Sequence, residues 1–225
     1  MNLENFENEI EYKFKNINLL KNAFTHTSYA NENKTKSNEK LEFLGDAILE
    51  FTVSEYLYKN YSNLNEGEMT KVRATYVCEN ANYQYAVDLN LTDYILVGHG
   101  ELKDGKDFKK AIVADIFEAL MGAIYIDLGY ATVRRVVLDI IVPYIENPDV
   151  NFFNDYKSCL QEFVQTVQRS LEYNLIKEEG PAHEKKFTMN VVIDNIVYGV
   201  GEGPSKKEAE QEAAKIALEK LAIKK

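Results

Sequence analysis

The chain has 225 residues, 45% of them hydrophobic, with a formal net charge of −10. That length suits one large domain or two ordinary ones, and that apolar content excludes bulk disorder. Residues 1–10 are acidic and polar, unlike a signal peptide, and the longest apolar run, Ala111–Ile126, is too short to span a bilayer and carries two acids. A soluble, intracellular protein is expected. The acidity is uneven: residues 1–150 hold 15 Lys and Arg against 24 Asp and Glu, a net of −9, whereas residues 151–225 hold 11 against 12, a net of −1. Bulk charge therefore does not exclude a polyanionic partner, because the placement of individual charges decides. Cys78 and Cys159 have neither metal-ligand spacing nor the density of a disulfide scaffold, and both read as packed thiols.

Residues 1–142 read as almost entirely helical, with polar loops at Asn31–Ser37 and Gly98–Lys106. A helix is expected from Asn38, where Glu39, Glu42 and Asp46 fall at i, i+3 and i+7 on one face. Leu41, Leu44 and Ile48 cover one flank of that stripe and Phe43, Ala47 and Phe51 the other, so the helix reads as apolar nearly all round and buried. An exposed acidic stripe is the ordinary meaning of such spacing, but these surroundings argue for carboxylates in or beside a core.

A second helix sharpens the point. Within Ala111–Ile126, Asp115 and Glu118 are the only charges, again sharing a face. Two carboxylates there need either basic partners or a cation. Lys71 or Arg73 could supply a salt-bridge network. The alternative is an oxygen-rich ring of Glu42, Asp46, Asp115 and Glu118, which suits Mg²⁺; no Cys/His cluster points to zinc. Carboxylate-held Mg²⁺ is the usual equipment for phosphodiester hydrolysis, often as two ions. No Ser-His-Asp or Cys-His arrangement competes. His26, His99 and His183 are isolated, and His26 reads as a hydrogen-bonded core or supporting residue.

Pro143–Asn154 reads as a linker. Beyond it, Tyr156, Leu160, Phe163, Val164, Val167 and Leu171 fall at helical spacing. Phe187, Met189, Val191 and Ile193 then alternate with polar residues, Asp194-Asn195 makes a tight turn, and Ile196–Val200 returns. A last helix follows Pro204. Its start carries a capping box, Ser205 with Glu208, which puts Lys206 and Lys207 in the first turn. Cations oppose the helix dipole there, so a bound phosphate is one explanation for them, two solvated lysines being the ordinary alternative. The fold class expected is an all-α N-terminal domain followed by a small α+β domain in the order α-β-β-β-α. The boundaries expected are 1–146, a linker at 147–154, and 155–225.

Asn38–Leu49 resembles the signature of the ribonuclease III family, with Lys40 where an arginine is usual, and Ala114–Ala119 resembles its second acidic motif. The Asn65–Glu68 turn and the Gly98–Leu102 loop fit as well. The α-β-β-β-α order and the Gly180–His183 loop make Asp155–Leu221 similar to a double-stranded-RNA-binding domain, so the likeness covers nearly the whole chain. The resemblance implies a catalytic domain that cuts double-stranded RNA to leave 5′-phosphate and 3′-hydroxyl ends with short 3′ overhangs. It implies Glu42, Asp46, Asp115 and Glu118 as metal ligands, with Asp46 and Glu118 catalytic, and Glu39 and Glu66 beside the centre. Mg²⁺ is the expected ion, two per site, with Mn²⁺ able to substitute and no small-molecule cofactor. Gln161, Glu162, Gln165 and His183 would meet minor grooves and Lys206 and Lys207 the phosphates between them.

The family works as a homodimer, and Phe43 matches the aromatic that enters the partner's pocket, an ordinary core residue being the alternative. Gly45 would let backbones approach closely. Glu210 and Gln211 stand where some members carry another lysine, which puts more weight on bivalent gripping by the dimer. Maturation of ribosomal RNA precursors and turnover of structured messages in a bacterial cytoplasm would follow. A protein that binds duplex RNA without cutting it is the alternative; it would be expected to lack one or more of the four ligands, and all four are present.

Overall fold

The computed structural model describes residues 6–7, 12–101, 108–147, 156–166, 168–181 and 185–221. The chain forms two compact units, Met1–Asn60 with Glu79–Val150, and Tyr61–Cys78 with Asn151–Lys225. Among the described residues, no helix is long and apolar enough to cross a membrane.

The first unit is helical: α1 (Ile17–Ala23), α2 (Thr27–Asn33) and α3 (Glu39–Asn60) come before the segment Tyr61–Cys78. In the second unit, that segment carries α4 (Glu66–Tyr76), begun by a reciprocal capping box in which Asn65 and Glu68 each accept the other's backbone N–H. The first unit resumes with α5 (Glu79–Asp88), α6 (Lys110–Leu128) and α7 (Tyr130–Glu146). Helix α6 is the hub, since Ile112, Val113, Ala114, Ile116, Phe117 and every residue from Ala119 to Ile124 are buried. It ends at Gly129, whose φ of +83° favours glycine and lets α7 begin at once. Helix α5 packs on α6 through the Tyr85 and Phe117 rings, 5.3 Å apart.

Two expectations are corrected here. Helix α3 is not buried all round. Leu41, Ile48, Leu49, Val53 and Leu57 are buried, but Phe43 is 81% and Phe51 59% exposed, with Ala47 exposed between them. The helix rests on α6 by one side, and on its other flank Phe43 and Ala47 stay exposed among the described residues while Phe51 meets only the Tyr130 ring, 5.6 Å away. The second correction concerns Pro143, which lies inside α7 rather than in a linker. A proline removes only its own N–H, so the last turn continues, and Asn147 N–H still bonds the Pro143 carbonyl at 3.1 Å.

The C-terminal elements of the second unit follow the expected order: α8 (Tyr156–Thr166), β1 (Leu171–Glu179), β2 (Lys186–Ile193), β3 (Ile196–Gly203) and α9 (Lys206–Leu221). The strands form an antiparallel sheet in sequence order. Asp194 and Asn195 both take positive φ, 47° and 65°, the pattern of a two-residue hairpin turn with matching twist. Leu160, Phe163 and Val164 of α8 meet Val191 and Ile193 of the sheet and Ala213, Ala214, Ala217 and Leu221 of α9 in one core. Helix α9 lies almost on the backbone of β3: a Cβ at Gly201 would stand 2.2 Å from the Ala213 nitrogen. Alternate glycines on the strand and alanines four apart on the helix make that approach possible.

Candidate active site

The four carboxylates are positioned by the crossing of α3 and α6. A Cβ at Gly45 would stand 1.7 Å from the Glu118 carbonyl oxygen, and one at Gly122 would stand 2.2 Å from that of Leu41. The two backbones therefore touch along 41–45 and 118–122. Glu42 and Asp46 bracket Gly45 on one helix, and Asp115 and Glu118 lie within the first turns of the other. Backbone contact at that register brings their side chains to the same margin of the crossing.

Their electrostatics bear this out. Glu118 is pushed up to about 8, chiefly by burial and then by the Asp46 charge, with smaller repulsion from Asp115 and Glu42. Glu42 rises to about 7, by burial first and then by Asp115, Glu39 and Asp46. Asp115 rises to about 6, by burial and the Glu79 charge. Among the described residues, no lysine or arginine contributes to any of these displacements, so the salt-bridge alternative finds no support there at Glu42, Asp115 or Glu118. Glu42, Asp115 and Glu118 are half-buried and crowd one another, with Asp46 exposed beside them, a concentration of negative charge that a hard cation would neutralise. The donor set fits Mg²⁺ in kind: carboxylate oxygens from two helices. Among the described residues, however, no three His, Cys, Asp or Glu side chains converge closely enough to grip an ion.

Asn82 was not expected in the site. It is fully buried on α5, and its Nδ2 donates to Glu118 Oε1 at 2.8 Å. That bond favours the ionised carboxylate and orients it, opposing the effect of burial. Glu79, at the start of the same helix, was also missed. Neither residue stands in a patterned motif, so no sequence signal singled them out.

The flanking residues divide. Glu39, exposed at the start of α3, accepts from the Ser37 hydroxyl and, at 3.5 Å, from that of Thr27. It lies close enough to Glu42 to raise it. Glu66 is exposed at the first position of α4 in the second unit, where it accepts from the Thr70 hydroxyl at 3.4 Å. His26 caps α2, with Nδ1 2.8 Å from the Ser28 hydroxyl, and burial lowers its pKa. That agrees with a supporting role.

In the second unit, Lys206 and Lys207 are exposed in the first turn of α9. The Ser205 hydroxyl accepts the Glu208 N–H at 3.2 Å, as expected of an N-cap. The Glu208 carboxylate, though, bonds the Ser205 hydroxyl rather than completing the box at the backbone. Lys206 also sits over the Phe187 ring, 6.0 Å from its centroid. Gln161 and Gln165 are exposed on α8. The Glu162 side chain and His183 lie outside the described residues. Glu210 and Gln211 have a role here: Glu210 pairs with Lys157 Nζ at 2.5 Å, and Gln211 accepts the Lys157 N–H at 3.0 Å. They join α9 to α8.

Half-buried carboxylates thus lie on two crossed helices of a chain that also carries an α-β-β-β-α unit. Residues 16–145 match the ribonuclease-III-like family model and residues 156–221 the double-stranded RNA binding motif. The chain is 44% identical over 220 residues to proteins named Ribonuclease 3 from Bacillus cereus (strain G9842) and Bacillus anthracis (strain CDC 684 / NRRL 3495), covering 96% of this chain and 90% of each relative. It is similar to the nuclease domain of ribonuclease III from Campylobacter jejuni, at 39% identity and a TM-score of 0.59, covering 63% of this chain and 97% of that one. The chain belongs to the ribonuclease III family.

Proposed function

We propose that this protein is a Mg²⁺-dependent endonuclease that hydrolyses both strands of duplex RNA, leaving 5′-phosphate and 3′-hydroxyl ends with short 3′ overhangs. The observation that carries the reading is the set of raised, unneutralised carboxylates at the α3–α6 crossing. Glu42, Asp46, Asp115 and Glu118 would hold the metal, two ions per site, with Mn²⁺ able to substitute. When bound, Mg²⁺ supplies a nucleophile at neutral pH and charge neutralisation of the phosphate. Asp46 and Glu118 are the residues assigned directly to catalysis. Asn82 opposes protonation of Glu118 and aims its carboxylate, and Glu39 and Glu66 would contact RNA or water beside the centre.

The C-terminal domain supplies the grip. Lys206 and Lys207 would meet backbone phosphates, while Gln161, Glu162, Gln165 and His183 would meet minor grooves. The domains of this reading are residues 1–146 and 155–225, with 147–154 between them. A homodimer with Phe43 at its interface is proposed from the exposed Phe43–Ala47–Phe51 flank. The Campylobacter jejuni nuclease domain has a region involved in dimer formation, which supports the same reading. Processing of ribosomal RNA precursors and decay of structured messages in the bacterial cytoplasm are the roles proposed.

The test compares wild-type protein with Glu118→Gln on a long RNA duplex, with and without Mg²⁺. Wild type should shorten the duplex only with the ion, and the variant should bind it with unchanged affinity but cut at least a hundredfold more slowly. Equal cutting by the two would refute the assignment of Glu118. Binding without cutting by wild type would leave the protein a duplex-RNA binder.

A further inference from the structure

Cys78 lies two residues beyond the end of α4, and Cys159 lies in the first turns of α8. Both are buried, at 8% and 3% exposure, and both belong to the second unit. Their sulfurs are 3.3 Å apart although the residues are 81 positions apart in sequence. The contact is part of a packed surface, because Ala74 of α4 sits against the core that includes Leu160, Phe163 and Val164 of α8. The Cys78 thiol also lies 3.5 Å from the Thr75 carbonyl, a bond that would direct its proton there and turn a sulfur lone pair toward Cys159.

We propose that Cys78 and Cys159 are an oxidation site, joined by hydrogen peroxide into a disulfide that clamps α4 to α8. A disulfide needs its sulfurs about 2.05 Å apart, so from 3.3 Å each sulfur has to move by about 0.6 Å. Cys78, the more exposed thiol, reacts first: its sulfur attacks one peroxide oxygen and the O–O bond breaks. A water leaves and a sulfenic acid remains. The Cys159 sulfur then attacks the Cys78 sulfur, the S–O bond breaks, and a second water leaves with the Cys159 proton. Two thiols have lost one electron each, and one peroxide has been reduced to two waters. A small-molecule thiol reverses the bond by exchange. In a reducing compartment the pair rests as thiols, the ordinary behaviour of redox-sensing cysteines there.

The clamp has a defined reach. Cys78 falls within the ribonuclease-III-like match and Cys159 within the double-stranded RNA binding motif, so the bond links the two matched segments covalently. It also ties the helix that starts at Glu66 to the helix that carries Gln161 and Gln165. The proposal stands apart from the nuclease reading, since it concerns neither the carboxylates nor RNA.

The test treats the full chain with a small excess of hydrogen peroxide, blocks remaining thiols, and maps peptides without reduction. The expected products are a protein lighter by two hydrogens and a single cross-linked peptide pair, Cys78 with Cys159. Both should vanish after dithiothreitol. The oxidised chain should melt several degrees higher, and the gain should also be lost on reduction. Cys159→Ser should give neither cross-link nor gain. The comparison of wild type before and after dithiothreitol holds even if that variant folds poorly. Sulfinic acid at either cysteine without the cross-link, or disulfides formed only between chains, would overturn the proposal and leave two packed thiols.

Discussion

Replacing Gly45 by alanine tests the geometry on which the site depends. The added Cβ would fall 1.7 Å from the Glu118 carbonyl oxygen and 2.5 Å from its carbon. Ordinary contact begins near 3.4 Å, so α3 and α6 would have to part by about 1.7 Å at their closest point. The obstacle is backbone and cannot rotate aside. Overpacking of a well-filled core costs about 1–3 kcal/mol when side chains can yield, so a cost of about 3 kcal/mol or more is expected here. For a unit of this size that is a fall in melting temperature of roughly 6–12 °C. Urea unfolding followed by circular dichroism gives the free energy directly. Gly67→Ala is the control: its Cβ meets nothing closer than Asn65 Oδ1 at 3.5 Å, and alanine should stabilise α4 by roughly 0.5–1 kcal/mol. Duplex cleavage by Gly45→Ala should also fall at temperatures where the variant is folded, because Glu42 and Asp46 move away from Asp115 and Glu118. A Gly45→Ala protein within about 0.5 kcal/mol of wild type would refute the close crossing.

Two further outcomes follow from the same geometry. The folded state holds protons on Glu118, Glu42 and Asp115 more tightly than the unfolded chain, so with chelator present stability should fall as pH rises from about 5 to 8. Glu118 alone, displaced from 4.5 to about 8, corresponds to at most roughly 5 kcal/mol. Mg²⁺ should therefore raise the melting temperature more at pH 8 than at pH 5; because His26 titrates in the opposite sense, the comparison is made against Glu118→Gln, and an equal Mg²⁺ effect in both proteins would refute the linkage. Phe43→Asp should leave the fold within about 0.5 kcal/mol of wild type, since the ring is exposed, yet should convert a dimer to monomer in light scattering; a variant that stays dimeric removes Phe43 from the interface.

Much of the site was legible in the sequence because it rests on local periodicity. Acids at 42 and 46, and at 115 and 118, must share helix faces, and a helix as apolar as α6 has to be buried. The Asp194-Asn195 turn and the Ser205 cap were legible for the same reason, since each is written in adjacent residues. What was missed depends on contacts distant in sequence. Asn82 sits in a helix with no chemical pattern, and only the fold shows that it meets Glu118, 36 positions away. The cysteines had been read correctly as packed, but not as packed on each other. The flank Phe43–Ala47–Phe51 was misread because periodicity reports which residues are apolar, not whether one chain or two will cover them.

The crossing also explains why the site is tense. Side chains on helices packed at an ordinary distance could carry acids outward into water. Here Gly45 and Gly122 bring the backbones into contact, and Glu42, Asp115 and Glu118 are left half-buried at a margin where water is partly excluded, with Asp46 exposed beside them. The raised carboxylates are thus a consequence of tight packing. The stabilising contact and the destabilising charge occupy the same few residues. A substitution that relaxes the crossing would let Glu118 regain water and a lower pKa, and would separate it from Glu42 and Asp46. Glycine at 45 is therefore required twice, once by the packing of α3 on α6 and once by the electrostatics that the packing creates.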